Sequence, residues 1–226
     1  MIESMSTLIA ARRPLTDKER RALRAKAGRL TANRRRASST YLPIGGAIIF
    51  VLWLWTILAS DAPWLVVTVF WLVAGAGITF WVRRDMLSHA GQLAGMVQDL
   101  ESAARRGEAD VYDIRATAFA VLEEVEDEGA CYAFALDGDR LAFVVGQEFY
   151  DAARFPSLDF SLIYPLDERG HPVEMLIEKR GDKAVPTRTI PAAVKQRLNV
   201  PGHLEVRAGR LDDLETALGA ARDGDA

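Results

Sequence analysis

The sequence predicts an α+β membrane protein: a two-helix transmembrane hairpin, a helical stalk and a small, mainly antiparallel β domain on the cytoplasmic side. Three observations predict it. Two apolar runs, residues 41–59 and 64–82, are separated only by Ser60-Asp61-Ala62-Pro63. A stripe of apolar residues at helical spacing follows the second run. Beyond residue 110 the pattern switches to alternation around an Asp-Gly turn.

Each apolar run is 19 residues long, and Asp61 is the only acidic or basic side chain (Asp, Glu, Lys, Arg or His) between Arg36 and Arg83. At ~1.5 Å per residue each run spans roughly 28 Å, close to the ~30 Å hydrocarbon core of a bilayer. A signal peptide fits poorly, because its apolar region lies near the N-terminus and is shorter. A buried helical pair in a soluble protein is the other alternative, but it would carry charge on one helix face. Arg34, Arg35 and Arg36 flank the first run, Arg83 and Arg84 flank the second, and the turn carries no cation. The positive-inside bias then places both termini in the cytoplasm, in a multi-pass protein of a bacterial inner membrane. Tyr41, Trp64 and Trp81 sit at run ends, where interfacial anchors belong. Small residues cluster at Gly45-Gly46-Ala47 and Ala74-Gly75-Ala76-Gly77, a contact between the spans or between protomers. Neither run contains a His, Lys, Arg, Asp or Glu, which argues against a pump or transporter.

Charge divides the chain as sharply as hydropathy does. Residues 1–42 carry eleven Lys/Arg against three acids, residues 43–82 a single acid, and residues 83–226 carry 17 Lys/Arg against 27 acids. A basic arm (1–40) therefore precedes the hairpin (41–82) and an acidic region follows it. In the arm, Thr16 and Glu19 have the spacing of a capping box, opening a helix with Leu23, Ala27 and Leu30 on one face. The cations suit the cytoplasmic leaflet, with anionic lipid as a partner. Nucleic acid is disfavoured, since residues 12–36 hold no aromatic for a base to stack on.

Past Arg84, the residues Met86, Ala90, Leu93, Val97, Leu100 and Ala104 repeat at heptad spacing. This stalk (83–109) ends at Arg105-Arg106-Gly107, with cations in the last turn and a glycine stop. Met86, Leu93, Val97 and Leu100 are the expected self-association seam of a homo-oligomer; packing onto the arm or the tail domain would produce the same stripe.

The tail domain (110–218) reads as strands at 115–122, 131–136, 140–145, 160–164, 173–179 and 204–207, with short helices at 191–198 and 211–218; residues 219–226 are left as a disordered tail. Asp137-Gly138 suits a two-residue hairpin turn, which would set Phe134 opposite Leu141 and Tyr132 opposite Phe143. The stretches EDEGACYAFAL, DGDRLAFVVGQEFYD and FPSLDF, within residues 126–164, resemble a small β domain of uncharacterised bacterial membrane proteins. The resemblance implies a bacterial origin and no activity.

Candidate chemistry is sparse. The single cysteine, Cys131, excludes an internal disulfide framework and a four-thiolate metal site. Asp137 and Asp139 read as turn residues, and the acidic run 123–128 as a solvated loop. His89, His171 and His203 lie far apart, in structural or solvated roles. No phosphate loop, nucleophile elbow or zinc motif is present, and no cofactor or metal is implied. The segment 146–160 is the most distinctive: Glu148, Phe149, Tyr150, Asp151, Arg154 and Phe155 mix aromatics with charge, as recognition surfaces do. The alternative is that these aromatics plug the open end of the sheet. The expected function is a membrane-anchored interaction module that binds a protein partner. The alternatives are a tethered enzyme with a dispersed site in the tail, or an accessory subunit of a larger membrane complex.

Overall fold

A computed structural model describes the backbone of residues 6–59, 63–150 and 155–219, and their side chains except at residues 6, 33–45, 83 and 86–90. The protein is mixed α/β, with two long helices, two sheets and several short helical turns. The chain divides into a β unit (6–14, 108–165 and 174–219) and a helical unit (15–59, 63–107 and 166–173).

The helical unit is an antiparallel pair, α1 (Asp17–Ala59) and α2 (Trp64–Arg106). At ~1.5 Å per residue each is about 65 Å long. The capping box opens α1 as its spacing implies: Glu19 N–H donates to Thr16 Oγ1 at 3.3 Å, and Thr16 N–H to Glu19 Oε2 at 2.7 Å. Gly107 closes α2 in the left-handed conformation (φ 71°), its N–H returning to Ala103 O. Leu15 N–H donates to Gly107 O at 2.8 Å, tying the start of one helix to the end of the other. At that end Leu23 and Ala27 of α1 and Leu100, Ala103 and Ala104 of α2 are buried.

The apolar half is held differently. Trp53 Nε1 donates to Thr68 Oγ1 at 3.3 Å, and Trp71 Nε1 donates to Thr56 Oγ1 at 3.1 Å. This reciprocal clasp satisfies both indoles, while each threonine hydroxyl donates to a carbonyl one turn back. Gly75 lies against Ile49, whereas Gly46 and Gly77 face open space, so the small-residue clusters meet the other helix only in part. Among the described residues one stretch, Trp64–Val82, is long and apolar enough to cross a bilayer, and Gly46–Ala59 is a shorter apolar stretch. Residues 41–45, which complete the first run, lie outside the described side chains.

The β unit has a six-stranded sheet in the order β1-β10-β6-β5-β4-β9 and a four-stranded sheet in the order β2-β3-β7-β8. Its strands are β1 (Ser6–Thr7), β2 (Ala11–Pro14), β3 (Glu108–Arg115), β4 (Ala118–Leu122), β5 (Ala130–Leu136), β6 (Arg140–Gly146), β7 (Asp159–Pro165), β8 (Leu176–Lys179), β9 (Arg188–Ile190) and β10 (Glu205–Ala208). All neighbours are antiparallel except β4 and β9. Two short helices, α3 (Ala192–Lys195) and α4 (Leu214–Leu218), complete it.

Three sequence expectations are corrected here. The expected strand 115–122 is two strands in different sheets. At the corner Ala116 N–H donates to Leu158 O and the next residue, Thr117, donates to Ala135 O. The hairpin of β5 and β6 has a three-residue loop, 137–139, with Gly138 at φ 75° and Asp139 at φ 51°. The register therefore pairs Phe134 with Ala142 and Ala133 with Phe143, one position off the expected match. Its cause is that both faces of the six-stranded sheet are covered. Phe134 and Val144 join Ile114, Phe160 and Leu162 in a core between the sheets, while Ala133, Leu141 and Phe143 join Leu211, Leu214 and Leu218 on the other face. A large residue opposite alanine supplies bulk to both cores, which a single apolar face cannot. Finally, residues 6–14, read as part of the basic arm, supply β1 and β2, an edge strand for each sheet. Arg12 is held there by Asp110, Nε to Oδ1 at 2.8 Å and Nη2 to Oδ2 at 3.0 Å. Pro14 is tolerated because β2 is an edge.

Candidate functional site

The segment after β6 folds back in a 3-10 turn (Gln147–Phe149), and this decides what its aromatics do. Phe149 and Phe155 are 2 % and 5 % exposed. Their rings stack at 5.0 Å, and Phe155 meets Phe160 edge-on at 5.1 Å and Tyr132 at 5.4 Å. Both close the core between the sheets and present no ring to a partner. Asp151 and Arg154 lie outside the described residues. What remains at the surface is Glu148 and Tyr150.

Tyr150 is 55 % exposed, and its hydroxyl donates to the carboxylate of Glu124. That hydrogen bond, with a small contribution from burial, pushes the phenol up to about 12. The acidic loop and the turn clasp further: Gln147 Nε2 donates to Asp127 O at 2.6 Å, and Glu124 Oε1 accepts from Gly129 N–H at 3.0 Å. Glu126 and Asp127 hold left-handed backbone at φ 51° and 59°. The result is an ordered acidic rim with one exposed aromatic.

Three polar networks lie elsewhere in the β unit. Lys195 of α3 is 4 % exposed and paired with Glu128, and Glu123 accepts the backbone N–H of Ala192 at 3.0 Å at the start of the same helix. Arg180 donates to Asp159 (2.7 Å), Ser161 (2.6 Å) and Asp113 (3.1 Å), and Ser161 donates to Asp113 across the β3 and β7 pair. The Ser161 hydroxyl, then Arg180, hold the Asp113 carboxyl below the usual carboxylate range. In the third, His203 connects Val145 to Tyr164. Nothing local in the sequence pairs residue 203 with residue 164. Burial in this third cluster raises the Tyr164 phenol and lowers the His203 imidazole.

Cys131 is buried, and burial pushes its thiol up to about 11, the opposite of an activated thiolate. Among the described residues no three His, Cys, Asp or Glu side chains converge on a metal position.

In the helical unit, Trp64 and Trp81 are exposed and Arg84 is exposed; Tyr41 and the side chains of Arg34, Arg35, Arg36 and Arg83 lie outside the described residues. Of the expected seam, Leu100 is 2 % exposed within the single chain, so it is already covered without a second copy. Leu93 and Val97 are half-buried, and the side chain of Met86 is not among those described. Arg105 and Arg106 have a role that helix-end chemistry alone does not reveal: Arg106 donates to Asp167 O at 2.8 Å and Arg105 to Glu168 at 3.3 Å, holding the loop 166–173 at the end of α2. Compared with protein-family models, curated proteins and solved structures, the chain matches none of them.

Proposed function

We propose that the chain is a membrane-anchored interaction module: the helical pair inserts as a hairpin into a bacterial inner membrane, and the β unit meets a protein partner on the cytoplasmic side. The observation that carries the reading is exposure. Phe50, Trp55, Leu58, Trp64, Phe70, Leu72 and Trp81 all face outward, and only 6 % of the stretch Trp64–Val82 is buried. An apolar surface of this extent on both helices needs lipid or protein to cover it. Cations at the polar ends of the helices and none in the turn support cytoplasmic termini.

The partner-facing surface is the acidic rim of Glu124, Glu148 and Tyr150, and its charge suits a basic segment. The test is a pull-down with the full chain in mild detergent, comparing wild type with Glu124→Lys/Glu148→Lys. The reading expects partners that wild type retains and the variant loses. Equal recovery by both would sink the assignment of the rim. Release of the chain from membranes by alkaline carbonate would sink the anchor.

A further inference from the structure

Three elements of the β unit meet on one imidazole. Val145 N–H, from β6, donates to His203 Nδ1 at 3.1 Å, so that nitrogen bears no proton and Nε2 does. Nε2–H then donates to Tyr164 Oη, on β7, at 2.6 Å, and the hydroxyl donates its own hydrogen to Met175 Sδ at 3.3 Å. The network is consistent with one tautomer of a neutral ring only. It joins the six-stranded sheet to the four-stranded one, because β6 and β7 belong to different sheets. Phe149 packs against the ring at 5.8 Å. The next residue, Leu204, is buried and holds φ 64°, a left-handed conformation that is strained for a leucine. Its backbone ties down both neighbours: Leu204 N–H donates to Phe143 O at 2.8 Å, and Leu8 N–H donates to Leu204 O at 3.0 Å.

We propose that His203 is an acid-sensitive latch: neutral, it pins the connection ahead of β10 to both sheets, and protonation releases it. The incoming proton has one lone pair to occupy, at Nδ1, and there it faces the Val145 N–H. Two donors then oppose each other, and the amide loses its acceptor inside a largely buried cluster. The charged and titratable groups around the ring are few. Glu148, from the turn after β6, favours the cation and stands ready to receive it once the ring swings out. Tyr164, from β7, keeps its proton through the neutral range, and the Tyr112 ring, from β3, packs edge-on against it at 5.7 Å. Burial opposes the cation and outweighs Glu148, so release falls on the acid side of the ordinary histidine value, ~6.5. Release lets Leu204 leave its left-handed backbone. It also uncovers Phe149, a core ring one residue from the exposed rim.

The test uses the full chain in detergent, reading amide hydrogen exchange between about pH 7.5 and about pH 5, a window in which histidine titrates and carboxylates stay charged. After correction for intrinsic rates, the protection of the Val145 amide is expected to fall about tenfold or more, one decade per pH unit below the ring's pKa. Amides of the β3 and β7 ladder, such as Leu162, are expected to hold. His203→Gln, whose amide accepts and donates without titrating, is expected to abolish the pH dependence. Unchanged Val145 protection in the wild type, or an equal fall in His203→Gln, would overturn the latch. Should the variant fail to fold, the wild-type imidazole's own NMR titration decides. A ring that titrates at or above its ordinary value overturns the proposal, and one that titrates below it in step with Val145 exchange supports it.

Discussion

Single residues in the β unit are constrained by what lies within a few ångströms of them. Gly129 has φ 93°, and a Cβ there would fall 2.5 Å from the backbone of Gly146 and Gln147, where no side chain can yield. Gly129→Ala is therefore expected to cost about 2 kcal/mol or more, read as a lowered midpoint in thermal unfolding. Cys131 makes the opposite point, that chemical inertness is also a consequence of position. With its thiol buried and raised to about 11, it is expected to resist alkylation in the native chain and to react only on unfolding. Asp113 supplies a pH dependence of definite sign. Its folded-state pKa is depressed, so its contribution is present above the ordinary carboxylate range and is lost as pH falls through that range. Asp113→Asn is expected to lower stability near neutrality by no more than ~1 kcal/mol, because the carboxylate is largely exposed, and to converge with wild type in acid. Unfolding midpoints at several pH values read this out; a gap that widens in acid would refute it.

Secondary-structure elements were legible in proportion to the local signal they carry. The capping box and the Arg105-Arg106-Gly107 stop are local chemistry, and the start of α1 and the end of α2 follow from them. β5 and β6 are apolar runs on either side of the Asp137-Gly138 turn, and both were readable, but their register depends on a second core that no single strand reveals. β1, β2 and β9, of two to four residues, have no periodicity to detect, and β2 is masked further by its two arginines. The same limit hid the latch: it joins β6, β7 and the segment before β10, three places distant in sequence. The edge strands carry a prediction. Removing residues 1–14 strips β2 from β3 and β1 from β10 and exposes two rows of unpaired backbone groups. The truncated chain is expected to lose stability and aggregate on mild heating, as light scattering would show. A monomeric, equally stable truncation would mean the β unit is complete without them.

At the scale of the whole molecule, two parts with opposite surface character share one chain. The helical pair carries apolar side chains outward over its turn-proximal half, and the β unit buries its apolar residues in two cores. The first arrangement suits a bilayer and the second suits water. The charge record gives the combination a direction. Eleven cations lie in residues 1–42, and Arg83 and Arg84 follow the second run, against a lone Asp61 in the turn. Moving that cationic end across a membrane opposes the orientation bias, whereas moving the turn costs little: one carboxylate and two short apolar flanks. The topology is expected to place residue 61 outside the cytoplasm and residue 226 within it. A reporter active only in the periplasm should be active when inserted beside Asp61 and silent when fused after Ala226. A cytoplasmic reporter at the same two positions should give the mirror result. Reversal of both would invert the orientation, and cytoplasmic activity at both positions would mean that the hairpin does not cross. In that second case the outward-facing tryptophans would require a protein partner along the full length of the apolar stretch.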